Sequence, residues 1–223
     1  MDDHIENTAA GAKSHFYQLS SPICPKMLIS LNRIRHSIIN HLYSRWYKSF
    51  LGKVGKGVLI RKGCQLEGDC LENIEIGSEC SIDYNCVLGC RTRLIKDGKK
   101  KKPMIKIGNR CYLGQYNHIT AVDKIIIGDN LLTGRFVLIT DNSHGRMNYD
   151  ELQIHPSQRN VISKGEVIIG NNVWIGDKSS IMPGVHIGDG CIIGANSVVT
   201  HDIPAYSLAA GIPARVIKTV HVQ

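Results

Sequence analysis

The chain has 223 residues, 43% of them hydrophobic and 21% charged, with 27 Lys and Arg against 19 Asp and Glu. This composition excludes a mainly disordered chain. The sequence contains no run of 18 apolar residues, so no membrane-spanning helix is predicted. The length suits one domain with an appendage. Met1 is followed by two acidic residues rather than by a basic and apolar leader, so we expect a cytoplasmic location.

Residues 1–53 are predicted to form an irregular segment and an amphipathic helix. From Met27 to Leu51 apolar residues recur at helical spacing, and the opposite face is basic. The apolar positions are Met27, Leu28, Leu31, Ile34, Ile38, Leu42, Trp46 and Phe50. One interpretation is a helix that caps the open end of the fold that follows, where backbone groups would otherwise stay unpaired. The other is a helix on an anionic membrane surface, near a lipid-linked substrate.

From residue 54 onward the chain repeats every six residues. The first position of each hexad is aliphatic in 17 of 18 cases, and the next position is Gly in 11 of 18. The first positions are Val54, Ile60, Leu66, Ile76, Ile82, Leu88, Ile107, Leu113, Ile119, Ile127, Thr133, Ile139, Ile169, Ile175, Ile181, Ile187, Ile193 and Val199. A period of six fits neither an α-helix nor a long strand, and it predicts an all-β fold, the parallel β-helix.

The spacing of the hexads predicts the shape of this β-helix. Extra residues fall only after every third hexad, so three hexads form one coil and residues 54–204 form about six coils. Two long loops, residues 89–106 and 143–165, are expected to project from one edge. The first loop carries the lysine run 99–102, which is typical of a solvated loop or, alternatively, would contact an anionic acceptor or lipid phosphates. Gly at the second position is expected where the backbone turns tightly.

The cysteines follow the repeat. Six of the eight occupy the fifth position of a hexad, where other hexads hold Val, Ser or Thr. These six are Cys64, Cys70, Cys80, Cys86, Cys111 and Cys191. We therefore interpret them as small buried residues in a turn, and we expect no metal, no disulfide and a reducing compartment.

The C-terminal part carries a resemblance to a known family. Residues 169–218, with NNVWIG at 171–176 and AAGIPARVIK at 209–218, closely resemble the hexapeptide-repeat acyltransferases. The similarity is to the branch of sugar and antibiotic O-acetyltransferases, and it extends over about residues 54–218. It implies left-handed winding of the β-helix, a homotrimer with active sites between the β-helices of neighbouring chains, and acetyl-coenzyme A as the acetyl donor.

The resemblance also implies a catalytic residue. The family's catalytic histidine matches His144 in LITDNSHG, residues 138–145, although a lone loop histidine is equally typical of plain solvent exposure. A sugar hydroxyl needs a base that works near neutral pH, which histidine supplies. Asp141 is a candidate to orient the imidazole or, alternatively, a corner residue. Asn117 is a candidate donor to the oxyanion. No covalent intermediate is needed, so no cysteine nucleophile is expected.

Donor-binding residues carry over by position. Trp174 would line the site or, alternatively, pack between subunits. Small residues would let the pantetheine arm lie close to the coils, and residues 205–223 would complete the site with a narrow turn and basic groups near the phosphates. His201 stands where many relatives have Lys. The residues are Trp174, Gly176, Ala195, Thr200, His201, Ala209, Ala210, Gly211, Arg215 and Lys218.

The sequence thus predicts an acetyl-coenzyme A-dependent O-acetyltransferase that modifies a sugar, favouring a surface polysaccharide or its precursor because the N-terminal segment is basic. An antibiotic is the alternative acceptor. A zinc enzyme similar to the γ-class carbonic anhydrases would need three converging histidines, whereas His118 and His144 follow different hexads. A catalytically silent scaffold is the remaining alternative. We expect a homotrimer, peripheral contact with the inner membrane face and no nucleic-acid partner, since no motif beyond net charge points to one.

Overall fold

The computed structural model describes residues 25–94, 100–101 and 103–220. The chain divides into two compact units, residues 1–36 and residues 37–223. Helix α1 (Pro25–Lys48) begins in the first unit and ends in the second. No helix among the described residues is long and apolar enough to cross a bilayer. Of the lysine run, only Lys100 and Lys101 belong to the described part, so the role predicted for this run lies outside it.

Among the described residues of the second unit, the regular structure consists mostly of short strands joined by turns. In chain order they are β1 (Leu59–Ile60), β2 (Gln65–Gly68), β3 (Ile74–Ile76), β4 (Ser81–Ile82), β5 (Val87–Cys90), β6 (Arg93–Leu94), β7 (Lys100–Lys101), β8 (Met104–Ile107), β9 (Tyr112–Leu113), β10 (His118–Ala121), β11 (Lys124–Ile127), β12 (Leu132–Thr133), β13 (Leu138–Thr140), β14 (Asn142–His144), β15 (Val161–Ser163), β16 (Val167–Ile169), β17 (Trp174–Ile175), β18 (Ser180–Ile181), β19 (His186–Ile187), β20 (Ile192–Ile193), β21 (Val198–Val199), β22 (Ser207–Gly211) and β23 (Ala214–Thr219). Helix α2 spans Tyr149–Leu152, and single 3₁₀ turns occupy Leu71–Asn73 and Pro156–Gln158.

Three parallel sheets enclose one core. The first sheet has the order β3-β8-β11-β16-β19, the second β1-β4-β9-β12-β17-β20-β22, and the third β2-β5-β10-β13-β18-β21. Each coil of the chain therefore adds one strand to each sheet, which makes a three-sided prism. Strand β23 pairs antiparallel with β22 at the end of the second sheet, and β6–β7 and β14–β15 are separate hairpins. We name the corner that leads from the third sheet to the first the insertion edge, because both hairpins lie there.

The register confirms the predicted repeat. Ile82 lies beside Leu113, Ile119 beside Ile139, and Ile181 beside Val199, as six-residue stacking requires. The first positions of the hexads are buried apart from the half-buried Val54 and Leu66 in the first coil. Stacked aliphatic side chains on successive coils exclude water from the whole interior, so the prism has one continuous core.

The turning residue is not the one that the sequence analysis expected. Nine of the ten non-glycine residues with positive φ in the described chain occupy the fourth position of a hexad, and the tenth, Tyr206, follows Ile203 at the same spacing. Their φ values lie between 52° and 61°. The glycines at the second position are needed for a different reason. A Cβ atom on Gly114 would lie 2.2 Å from the carbonyl oxygen of Gly134 in the next coil. Glycine is therefore used there because the coils stack too closely for a side chain.

The fifth position supplies hydrogen bonds along the prism axis. The Cys86 thiol donates to the carbonyl oxygen of Gly114 at 3.0 Å, and Ser179 donates in the same way to Gly194 at 2.9 Å. The same bond, from a fifth position to the second position of the next coil, is made by Cys64, Cys80, Cys111 and Cys191. The seven described cysteines are all free and buried. A small side chain with a thiol or hydroxyl at position five can thus donate along the axis.

Helix α1 covers the first coil with its polar face. The Ser44 hydroxyl accepts from the Ile60 N–H at 3.0 Å and donates to the Val58 carbonyl at 3.4 Å. Asn40 accepts from the Lys62 N–H at 3.2 Å, and Tyr47 donates to the Cys64 carbonyl at 2.8 Å. These backbone groups have no strand before them to pair with. The helix therefore caps the open end as one interpretation held, although an amphipathic helix would normally bury its apolar face.

The other end of the prism continues beyond residue 204, where the sequence analysis ended the coils. Ile203 pairs with Ile187, and β22 pairs with β20 so that Ala209 lies beside Ile193. A partial seventh coil is thus present. The hairpin β22–β23 turns at the cis peptide bond between Ile212 and Pro213.

Candidate functional site

His144 lies on an arm at the insertion edge. We define the arm as residues 142–163, which comprise β14, helix α2, a 3₁₀ turn and β15. His144 is the last residue of β14, and it pairs with Val161 of β15. Its side chain is exposed, and no hydrogen bond to the imidazole occurs among the described residues. The hairpin therefore fixes the position of the histidine while leaving both ring nitrogens open to a substrate.

Asp141 fixes the base of the arm. Its buried carboxylate accepts from the backbone N–H of Val122 at 2.9 Å and from those of Asp123 and Lys124 at 2.7 Å each. No hydrogen bond between Asp141 and His144 is present in the described chain. Of the two roles considered for this residue, the structure therefore favours the corner residue over the group that orients the imidazole.

Two more contacts at this base were missed by the sequence analysis. The Asn142 amide donates to the Thr120 carbonyl at 3.2 Å. Lys124 forms an ion pair with Glu166 at 2.7 Å, and this pairing raises the pKa of the lysine. The arm is thus attached to the preceding coil at its start and just after its end. Neither contact has a signal in the sequence, because the six-residue repeat determines the strand register and not these side-chain pairs.

The arm also holds itself together. The Asn148 side chain caps helix α2 by accepting from the Glu151 N–H at 2.9 Å, and Glu151 accepts from the Arg146 N–H at 2.6 Å. Arg159 donates to the carbonyls of Ile154 and Leu152 at 2.9 and 3.4 Å. The spacing of Asn148 and Glu151 is typical of a helix N-terminus and is the signal that could have predicted α2. A structured arm replaces the loop that was expected at 143–165.

Asn117 is wrong as a donor to the oxyanion. Its side chain is only 1% exposed and points into the prism, where the amide donates to the Thr133 hydroxyl and accepts from the Val137 N–H at 2.8 Å. Thr133 is the one first position that is not aliphatic, and it also accepts from the Gly114 N–H at 2.9 Å. The two residues form a buried polar pair, so Asn117 serves the core and cannot contact a substrate on the surface.

Trp174 belongs to an exposed apolar ladder on the second sheet. It lies on β17 between Leu132 of the preceding coil and Ile192 of the next, and its side chain is half exposed. Tyr112 extends the ladder by one further coil. Four large apolar side chains in register on an outer face form a patch of the kind found at protein interfaces. The geometry therefore agrees with packing between subunits as well as with a place beside a ligand.

The small residues predicted to contact the donor meet at the corner between the second and third sheets. A Cβ atom on Gly176 would lie 2.5 Å from the Ala195 nitrogen, and one on Gly194 would lie 2.8 Å from the Cβ atom of Ala210. The Gly211 N–H donates to the Ser197 hydroxyl at 3.2 Å. Ala209 is buried as part of the core, so it does not line a surface site. The remaining residues, Gly176, Ala195, Ala210 and Gly211, lie at this corner over three successive coils.

The other donor residues lie elsewhere. Thr200 and His201 stand at the insertion edge, with the threonine hydroxyl 2.9 Å from the His201 Nδ1. They follow the third sheet two coils beyond the start of the arm, about 10 Å along the axis at the usual strand spacing. The exposed Arg215 and Lys218 lie on β23, opposite Ala210 and Leu208. Within one chain the predicted donor residues therefore form two groups, separated by the third sheet.

Metal chemistry finds no support in the described part of the chain. It contains no group of three His, Cys, Asp or Glu side chains that could hold a metal ion. His118 lies on β10, on the outer face of the third sheet, whereas His144 lies on the arm. The chemistry available at the arm is that of an exposed imidazole, which can accept and return a proton.

Known proteins match this chain over most of its length. The family described as bacterial transferase hexapeptide (six repeats) matches residues 166–201. The putative lipopolysaccharide biosynthesis O-acetyl transferase WbbJ of Escherichia coli K12 is 33% identical over 148 residues, which are 64% of this chain and 74% of that protein. A chloramphenicol acetyltransferase of Morganella morganii is 33% identical over 144 residues, which are 53% of this chain and 69% of the relative.

A solved structure matches as well. It is a mutant of AntD, an N-acyltransferase from Bacillus cereus, in complex with dTDP and coenzyme A. The two folds superimpose with a TM-score of 0.63 at 25% sequence identity, over 80% of this chain and 88% of that one.

Proposed function

The chain belongs to the bacterial hexapeptide-repeat transferases and is an acetyltransferase, and we propose that it transfers acetyl from acetyl-coenzyme A to a sugar hydroxyl. We place the acceptor among surface polysaccharides or their precursors and the enzyme in the cytoplasm, at the inner face of the membrane. The observation that carries the proposal is the exposed imidazole of His144 on an arm tied to the prism at both ends. The similarity to a putative lipopolysaccharide O-acetyl transferase supports the acceptor class.

In the proposed reaction His144 is the general base. A ring nitrogen takes the proton of the acceptor hydroxyl while the oxygen attacks the thioester carbonyl carbon. The carbon–sulfur bond then breaks, and the thiolate receives the proton from the imidazolium. A positioned base of this kind contributes about 10²- to 10⁴-fold to the rate. Because Asn117 is buried, the oxyanion must be stabilised by another group, for which exposed backbone N–H groups are the natural candidates.

We further propose a left-handed winding and a homotrimer. Three observations support a site shared between chains. The His144 imidazole has no partner within the described chain, and the predicted donor residues form two separate groups. The ladder of Tyr112, Leu132, Trp174 and Ile192 also leaves a large apolar surface open. A neighbouring prism packed against this ladder would cover the apolar surface and bring the two groups to one donor.

In that assembly the donor residues take distinct roles. Gly176, Ala195, Ala210 and Gly211 leave room for the pantetheine arm, and Trp174 packs against it or against the neighbouring chain. Thr200 and His201 lie at the same insertion edge as the arm that carries the base, two coils further along the axis. Arg215 and Lys218 are exposed cations suited to the phosphates of the donor.

An antibiotic hydroxyl is the second candidate acceptor. The similarity to a chloramphenicol acetyltransferase favours it specifically, because that protein matches over more than two thirds of its own length. The transfer chemistry would be the same, so only the acceptor distinguishes the two candidates.

Donor binding and catalysis are tested separately. Titration calorimetry with acetyl-coenzyme A should show one saturable site per chain. A thiol-release assay over a panel of saccharides and chloramphenicol should then identify the acceptor class. His144→Ala should lower kcat by about 10²- to 10⁴-fold while donor binding persists.

The matched control for this test is His118→Ala, since that histidine is also exposed but lies on the outer face of the third sheet. We expect it to keep its kcat within about twofold. Absence of donor binding by the folded protein would contradict the function. Equal losses in the two variants would contradict the role of His144 alone.

A further inference from the structure

The outward face of helix α1 carries an apolar stripe. We define the outer stripe as Ile38, Leu42 and Trp46 of the helix together with Phe50 of the turn that follows it. These residues recur every four positions and are 56%, 64%, 56% and 45% exposed. The Trp46 and Phe50 rings pack edge to face with centroids 5.1 Å apart. At 3.6 residues per turn the stripe lies on the side of the helix away from the buried Asn40, Ser44 and Tyr47. Four large apolar side chains in one row therefore face outward.

Cations flank the outer stripe on both sides. Arg45 and Lys48 lie on the helix between the stripe and the buried face. On the other side the Lys62 amine lies 6.0 Å from the centroid of the Tyr43 ring. Lys53 and Lys56 of the first coil are exposed as well. An apolar row with tryptophan and tyrosine, bordered by Lys and Arg, is the pattern of a helix that lies in a lipid interface.

The charge of the chain is concentrated around this helix. Between Glu6 and Glu67 the sequence contains ten Lys and Arg and no acidic residue. The rest of the chain has the remaining 17 Lys and Arg against all 19 Asp and Glu, so its balance is slightly negative. The net positive charge of the protein thus comes wholly from the segment that contains the outer stripe. Such a segment is attracted to anionic headgroups and not to neutral ones.

We propose that the outer stripe docks the protein onto an anionic phospholipid surface. Its four apolar side chains enter the boundary between headgroups and acyl chains, and the flanking cations face the lipid phosphates. The buried face of the helix stays bound to the first coil, so docking needs no rearrangement of the prism. The docking is independent of the transfer reaction, and its test needs neither donor nor acceptor.

Charge complementarity favours lipid over a second copy of the chain as the occupant. Two copies that met through this face would bring two acid-free basic segments together, which is unfavourable. The exposed ladder on the second sheet has no such concentration of cations and is the better surface for a neighbouring prism.

The test is sedimentation of the full chain with sucrose-loaded vesicles. Vesicles of phosphatidylglycerol and phosphatidylethanolamine should bind the protein, and vesicles of phosphatidylcholine should bind it at least about tenfold more weakly. Leu42→Ser with Trp46→Ser should lower the partition coefficient by about tenfold or more. Arg45→Gln with Lys48→Gln should lower it by about fivefold per charge, and the loss should shrink in high salt. Phe136→Ser, at an exposed ring outside the helix, should change it less than twofold.

A spectroscopic readout does not depend on those variants folding normally. The chain has two tryptophans, so Trp174→Phe leaves Trp46 as its sole indole reporter. The fluorescence emission of Trp46 in this variant should shift to shorter wavelength on addition of anionic vesicles. Binding that ignores lipid charge, or an unshifted Trp46 emission, would overturn the proposal. So would Leu42→Ser with Trp46→Ser dissociating the oligomer in sedimentation velocity, since the stripe would then contact a second copy.

Discussion

Apolar residues that recur at a regular spacing are buried in the prism but exposed on its capping helix. In the prism, apolar residues at a fixed period are buried as predicted, with Ile82, Leu113 and Ile175 in one column. In helix α1, apolar residues at helical spacing are exposed, and the polar Asn40 and Ser44 are buried instead. A repeat in stacked coils determines what each side chain meets, because its neighbour is the same position in the next coil. Helical periodicity shows only that one face is apolar, and not which surface the helix contacts.

The needs of the first coil explain which face of the helix turns inward. Its backbone N–H and C=O groups have no preceding coil, and a buried group without a partner costs about 1–3 kcal/mol. Ser44, Asn40 and Tyr47 satisfy four such groups. An apolar face placed there would have left all four unpaired.

The largest effect on stability is expected where the coils stack too closely for a side chain. Gly114→Ala places a methyl group 2.2 Å from the Gly134 carbonyl oxygen, so it should lower the free energy of unfolding by about 3 kcal/mol. Gly57→Asn at a fourth position is the matched control, because a Cβ atom there would have 3.6 Å of space at a φ of 71°. Asparagine tolerates that backbone conformation, and the change should stay within about 1 kcal/mol. Urea denaturation followed by circular dichroism measures both. Equal costs would show that coil stacking does not select glycine at the second position.

The capping helix gives the next largest effect. Ser44→Ala removes the partner of both Ile60 N–H and Val58 C=O, and it should cost about 2 kcal/mol in the same urea measurement. Leu42→Ser, two residues away on the outer stripe, should change the stability by less than about 0.5 kcal/mol. A larger loss for Leu42→Ser than for Ser44→Ala would mean that the apolar face packs against protein in the folded state.

The smallest effect on stability is expected from substitutions that distinguish two kinds of buried cysteine. Cys86 donates along the axis, so Cys86→Ser should be more stable than Cys86→Ala by about 1 kcal/mol. Cys90 has no hydrogen bond from its thiol in the described chain, and burial raises its pKa to about 12. At this site Cys90→Ala should be more stable than Cys90→Ser, because the serine would bury a hydroxyl without a hydrogen-bond partner. Thermal unfolding of the four variants measures the order. The same order at both sites would contradict a donor role at position five.

The sequence was sufficient to predict whatever the repeat controls. The position of the insertion edge and the burial of Cys64 and Cys86 both follow from the period of six. The exceptions to the period are visible only in the folded chain. Thr133 breaks the aliphatic column because Asn117 lies beside it, a pairing between residues 16 apart. The position of His144 at the insertion edge was predictable, whereas its surroundings depend on side-chain contacts of Asn142, Arg159 and Glu166 that the repeat does not determine. Sequence periodicity also cannot indicate which residues a second chain brings to a shared site.

The two ends of the prism are covered by different elements, which affects whether copies of the chain can associate end to end. A stack of parallel strands with bare ends could add further copies without limit, as fibrils do. Here α1 occupies the backbone groups of the first coil with side chains, and β23 reverses direction along β22 at the other end. A polar helix face and an antiparallel strand do not match each other, so head-to-tail polymerisation of the prisms is blocked. The protein can therefore contain a long stack of hydrogen-bonded coils without joining end to end with further copies.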